Sequence, residues 1–122
     1  TRGGGEGTSV RRPGPVGWRG RNTIGDLHMG KMTTVAQMTT NDVDLYPDIV
    51  KKWGLSFLIN TAKTPEGRSA GSLAWAGLAN TYFWIDPARK VTGVWATQLL
   101  PFYDRQAIQA FENFERAVYA SL

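Results

Sequence analysis

Apolar and polar positions alternate in short blocks from Lys52 onward, and show no period before about Lys31. In KWGLSFLIN, Trp53, Leu55, Phe57 and Ile59 fall on one side, Gly54, Ser56 and Asn60 on the other, and Leu58 breaks the rule. A period of two predicts a half-buried strand over 52–60. TAKTPEGRSA (61–70), with Pro65 and Gly67, reads as an exposed connection. SLAWAGLA (72–79) predicts a short strand of small residues around Trp75, and TYFWID (81–86) a strongly β-prone one. Asp86 reads as a turn residue before Pro87. VTGVWATQLL (91–100) follows, and is expected to pair with 81–86 as an antiparallel hairpin.

The period changes after Pro101. Asp104 is a suitable N-cap, and Ile108, Phe111, Phe114, Val118 and Leu122 recur at spacings of three and four. That pattern predicts a helix to the C-terminus. Its stripe must lie on the preceding sheet, because so short a helix is not stable alone. Upstream, MTTVAQMTT (32–40) is expected to form a short helix capped by Thr33 or Thr34, with Met32, Val35, Ala36 and Met38 inward. Residues 41–51, with Pro47, read as a surface loop or irregular turn. The expected fold class is α+β: an antiparallel sheet of three or more strands with a C-terminal helix packed on one face.

Composition divides the chain in two. Nine of its 14 glycines lie in residues 1–30, which are expected to be a disordered or loosely draped Gly/Arg/Pro-rich tail. Residues 31–122 are left as one small folded unit. The net charge of +4 is carried entirely by residues 1–31, where six basic residues face Glu6 and Asp26. The basic character therefore describes the tail. There is no cysteine, which excludes a disulfide framework, a thiolate metal site and a thiol nucleophile. The sole histidine, His28, sits in the tail and is a poor basis for a catalytic triad or a metal site. No cofactor is expected. No run approaches the roughly 20 apolar residues that span a bilayer. A secretory signal is not visible in this chain, which tilts the expected location toward the cytoplasm.

Three runs carry a resemblance to a known family: WGLSFLIN, GRSAGSLAWAGLANTYFWIDP and TQLLPFYDRQAIQAFENFERAVY. In this order they resemble the C-terminal portion of β-lactamase-related serine hydrolases, in the class C-like esterase and acyltransferase subgroup. The middle run is the most specific, with Trp-x-Gly, a short crossing and an aromatic strand ending in Ile-Asp-Pro. The resemblance implies a partial β-lactamase/DD-peptidase-like fold and acyl-enzyme hydrolysis or acyl transfer on esters.

In that family an active-site strand bears a Lys-Thr-Gly box, and Trp75, Ala76 and Gly77 stand in its place. The resemblance then implies that the backbone N–H of Leu78 is an oxyanion-hole donor. Gly77 admits close approach of substrate, and Trp75, Ala76 and Tyr82 are substrate contacts. Trp75 offers no cation for a carboxylate, so neutral esters are expected rather than β-lactams. The family's Ser-x-x-Lys and Tyr-x-Asn elements are missing here. The chain is therefore expected to supply the oxyanion strand without the nucleophile and to be inactive alone; a chain bearing the catalytic N-terminal half is its candidate partner. Residues 1–30 depart from the family's usual hairpin and strand, which suggests a displaced reading frame or truncated gene upstream of about Met32. Two alternatives stay open: a non-catalytic interaction module, and RNA binding through the Arg-Gly-Gly and Trp-Arg-Gly-Arg elements of the tail. Nucleic acid is not the favoured partner, because six positive charges are few.

Overall fold

The computed structural model describes residues 19–122. The Arg-Gly-Gly element and Trp18 lie outside the described residues. Among the described residues, the strands β1 (Lys51–Trp53), β2 (Leu58–Asn60), β3 (Leu73–Gly77), β4 (Thr81–Asp86) and β5 (Val91–Trp95) precede the helix α1 (Arg105–Ala120). The strands form a single sheet in the order β1-β2-β3-β4-β5, and every neighbouring pair is antiparallel.

Alternation along β3 and β4 builds the core. Ala74 faces Trp84 and Ala76 faces Tyr82 across the two strands. These four side chains share the sheet face that meets α1, where Ala74, Tyr82, Trp84 and Phe111 are buried together. Trp84 is fully buried, and Phe111 and Phe114 approach its ring at 6.0 and 5.9 Å between centroids. Gly93 lies opposite Trp84 in the register, and a Cβ there would collide with the indole ring. The strand glycine thus admits the largest core side chain.

The helix follows its sequence signals. Asp104 caps it, its Oδ1 accepting from the Gln106 and Ala107 backbone N–H groups at 2.9 and 3.0 Å. Phe111 is buried, and Ile108, Phe114 and Val118 pack around the same cluster. Leu122 lies beyond the helix and is exposed. The 81–86/91–100 hairpin forms as expected, but β5 stops at Trp95. The next residues turn back onto the β3–β4 connection, where Thr97 Oγ1 donates to Ala79 O at 2.6 Å.

Three expectations are corrected. The strand over 52–60 is a hairpin, closed by Gly54 N–H to Phe57 O at 2.8 Å. Gly54 packs against the Arg19 carbonyl so closely that a Cβ would clash. The helix over 32–40 is not formed. Met32 pairs with Val43 in an isolated antiparallel bridge, and Val35 and Met38 are exposed. Thr34 spends its hydroxyl on Ala36 N–H, and its own N–H goes to Asp42 Oδ1. Such local side-chain bonds compete with helix formation. Finally, the connection 61–70 buries Thr64, Glu66 and Arg68 instead of exposing them.

Residues 19–30 run beside β1. Thr23 and Met29 donate backbone N–H bonds to Trp53 O and Lys51 O, both at 2.9 Å. Lys52 Nζ reaches Gly25 O and Leu27 O at 2.9 and 2.7 Å.

Candidate active-site strand

β3 has two unequal edges. On one side β4 pairs with all five of its residues. On the other, β2 pairs only with Leu73 and Ala74, so among the described residues Trp75, Ala76 and Gly77 have no strand beside them. The direction of the backbone groups follows from the ladder. Ser72 O accepts Asn60 N–H at 3.0 Å, which points the backbone groups of Ser72, Ala74 and Ala76 toward the β2 side. Gly77 then directs its carbonyl toward β4. In a trans peptide the next N–H points the opposite way. The N–H of Leu78 is therefore aimed along the open side of β3.

Side chains complete the setting. Trp75 is half-buried and faces Phe83 across the β3–β4 pair, on the sheet side opposite α1. The Trp53 ring meets Trp75 edge-on at 4.6 Å between centroids, and Phe57 meets Phe83 at 6.1 Å. The β1–β2 hairpin thus sets Trp53 against Trp75 on the open stretch of β3 and Phe57 against Phe83, the cross-strand neighbour of Trp75. Gly77 and Leu78 are exposed, and Leu78 begins the turn into β4. Ala76 and Tyr82 point to the helix side. Tyr82 is buried, stacks on Phe111 at 4.7 Å, and donates its hydroxyl to Asn80 Oδ1 at 2.8 Å. Burial raises the Tyr82 phenol above its ordinary pKa. A cavity of about 30 Å³ lies beside this strand, lined by Trp75, Ala76, Tyr82, Leu45, Tyr46 and Arg68 among others. Of the residues singled out in the sequence, Trp75, Gly77 and Leu78 share the open stretch of β3, while Ala76 and Tyr82 stand behind it.

Two supporting residues escaped the sequence reading. Asn80 is fully buried in the left-handed region at φ 56°. Its Nδ2 donates to Leu99 O and Pro101 O at 2.9 and 2.8 Å, and its Oδ1 accepts from Asp104 N–H. It fixes the turn that carries Leu78, and asparagine tolerates this backbone conformation better than most residues. Arg68 is the second. It forms a two-pronged ion pair with Glu115, with Nη2 to Oε2 at 2.6 Å, and lies over the rings of Tyr46, Trp84 and Phe111. Burial pushes the Glu115 carboxyl up against the pull of that guanidinium. At the end of β4, Asp86 accepts from Ser69 N–H, Arg89 N–H and Tyr119 Oη at 2.8, 3.1 and 2.9 Å. Burial alone would raise its carboxyl, but these donors hold it below the ordinary value of 3.8.

His28 is exposed in the segment beside β1. Among the described residues, no helix is long and apolar enough to cross a membrane.

No protein-family model matches the chain, and no curated protein sequence does. Solved structures do match. Unliganded simvastatin synthase (LovD) from Aspergillus terreus, as its selenomethionyl derivative, aligns at 29% identity with a TM-score of 0.57. The LovD9 mutant of the same enzyme aligns at 27% identity with a TM-score of 0.58. In each case the alignment covers 60% of this chain and 19% of the other. The chain therefore spans about a fifth of the length of the structures it matches. With the five-stranded antiparallel sheet and its C-terminal helix, this likeness gives the chain an α+β fold corresponding to part of a β-lactamase-like fold.

Proposed function

We propose that this chain supplies the oxyanion strand of a serine hydrolase or acyltransferase acting on esters, of the class C β-lactamase-related kind. The nucleophile belongs to polypeptide outside the chain. The observation that carries this reading is the open stretch of β3, with the Leu78 N–H aimed along it and no side chain at Gly77. A donor preset there stabilises negative charge that develops on an acyl oxygen only in the transition state. Gly77 lets the carbonyl approach the backbone. Trp75, with Trp53 against its edge, forms an apolar wall suited to a neutral acyl group. Tyr82 and Ala76 support the strand from behind. The likeness to an acyl-handling enzyme, simvastatin synthase, favours the same class of chemistry.

Hydrolysis of a short-chain nitrophenyl ester tests the proposal. The isolated chain is expected to show none, and activity is expected once it is joined to polypeptide carrying the Ser-x-x-Lys and Tyr-x-Asn elements. In that active form Leu78→Pro deletes one N–H at a turn position where proline is tolerated. Loss of one oxyanion donor lowers kcat by roughly 10²–10³-fold. Turnover by the isolated chain, or an unchanged kcat in Leu78→Pro, would refute the assignment.

A further inference from the structure

The loop over 44–49 is held in an unusual shape beside the sheet. Tyr46 sits in the left-handed region at φ 50°, an outlying backbone for a bulky side chain. Neighbouring groups pin the chain on both sides of Leu45. Tyr103 Oη donates to Asp44 O at 2.8 Å, and Lys51 Nζ donates to Tyr46 O at 2.9 Å. Ile49 N–H reaches the same Tyr46 carbonyl at 3.0 Å. Arg68 Cζ lies 5.6 Å from the centroid of the Tyr46 ring. Backbone strain held in place by its surroundings is a mark of ligand clamps. Here it sets Leu45 and Tyr46 into the wall of the cavity beside β3, with Leu58, Ala74, Trp75 and Ala76. Arg68 also borders that cavity, but the Glu115 carboxylate engages its guanidinium. At about 30 Å³ the cavity has room for roughly two methylene-sized groups. Its exposed mouth is the stretch of β3 that β2 leaves open. Leu78 lies two residues beyond Ala76, roughly 6–7 Å along the strand. An acyl carbonyl that accepts the Leu78 N–H can therefore send its chain back along β3 and seat the end between Leu45, Tyr46 and Ala76.

We propose that this cavity seats the end of a linear, saturated acyl chain of about four to six carbons, and that Leu45 and Tyr46 set the length limit. The assignment rests on the ester reading of the Leu78 N–H and adds to it the acyl group that the site accepts. A shorter chain stops before the cavity and leaves its apolar walls unfilled. A longer one meets Leu45 and Tyr46, whose loop is pinned and cannot give way without breaking the bonds to Tyr103 and Lys51.

The test is an NMR titration of the isotope-labelled chain with acetamide, hexanamide and octanamide, unreactive stand-ins for esters of the same acyl chains. Hexanamide should give saturable shifts at the amides of Leu45, Tyr46, Ala76 and Leu78, with Kd on the order of 10 mM. Acetamide should leave Leu45 and Tyr46 unmoved. Octanamide should bind about threefold more weakly than hexanamide, against the trend of simple hydrophobicity. Leu45→Ala lengthens the cavity and should reverse the order of the two longer amides, which a mere loss of packing would not do. If Leu45→Ala loses its folded spectrum, Leu45→Val should narrow the gap between them. Unmoved Leu45 and Tyr46 amides with hexanamide, affinity that rises steadily with chain length, or an order that neither variant alters overturns the proposal. Shifts at Leu45 and Tyr46 without one at Leu78 separate the cavity from the donor and also overturn it. These titrations need no nucleophile. A negative result therefore strikes the acyl assignment alone, whereas an unchanged kcat in Leu78→Pro strikes the ester reading beneath it.

Discussion

Asp86 was legible as a turn residue, and it does receive the Arg89 N–H as such a residue should. Its other donors, Ser69 N–H and Tyr119 Oη, come from 17 and 33 residues away, and no local pattern encodes them. Together they hold the folded carboxyl below its ordinary value of 3.8 despite burial. The sign of the pH effect follows. A depressed folded pKa stabilises the protein above the unfolded value, and the benefit is lost as pH falls through the folded one. Asp86→Asn should therefore be less stable than the parent at pH 7, with the gap narrowing as pH falls below about 4. Thermal melts from pH 7 to pH 2.5 check this. A gap independent of pH would show that the hydrogen bonds, not the charge, carry the effect. Glu115 had a signal that went unread. It falls between Phe111 and Val118 on the apolar stripe, where a carboxylate needs a buried partner. The sequence does not say that the partner is Arg68, which lies in a Pro/Gly-containing connection.

At the scale of elements, α1 was the most readable part of the chain, because cap, spacing and burial agree. Its cap and its anchor differ in weight. Asp104→Ala should cost about 1 kcal/mol, the usual loss for a removed N-cap. Phe111→Ala should cost roughly 3–5 kcal/mol, because it empties a packed site against Tyr82 and Trp84. Urea denaturation of both variants checks the ranking, and equal losses would contradict the core described above. The first hairpin was misread for a physical reason. Alternation continues through residues 54–57, and the bend is set where Gly54 lies close to the Arg19 carbonyl, which also accepts the Leu55 N–H at 3.1 Å. That contact is tertiary. For 32–40, apolar spacing suggested a helix, but its threonines and the nearby Asp42 satisfy backbone groups locally. The open stretch of β3 needed the register of β2, which the sequence leaves undetermined. The motif around Trp75 could be located in the sequence, but which sheet face or edge each of its residues occupies could not.

At the scale of the whole molecule, the sheet ends at β5, whose outer side pairs with no strand among the described residues. By the ladder, Thr92 and Val94 direct their backbone groups outward there, and the Val94 side chain is exposed. An unpaired edge of this kind is a template for another strand. The chain is expected to self-associate as concentration rises, and Val94→Lys should shift it toward monomer, as sedimentation velocity can measure. Equal association of the two forms would place the contact elsewhere.

Asn80 ties the β3–β4 corner to the residues that start α1, through Leu99, Pro101 and Asp104. Neither region can loosen without breaking bonds held by the same amide. Local opening should therefore be shared: solvent deuterium should enter the Leu78 corner and the first helical turn at similar rates. A substitution that frays the helix start would then blur the aim of a backbone donor it never touches.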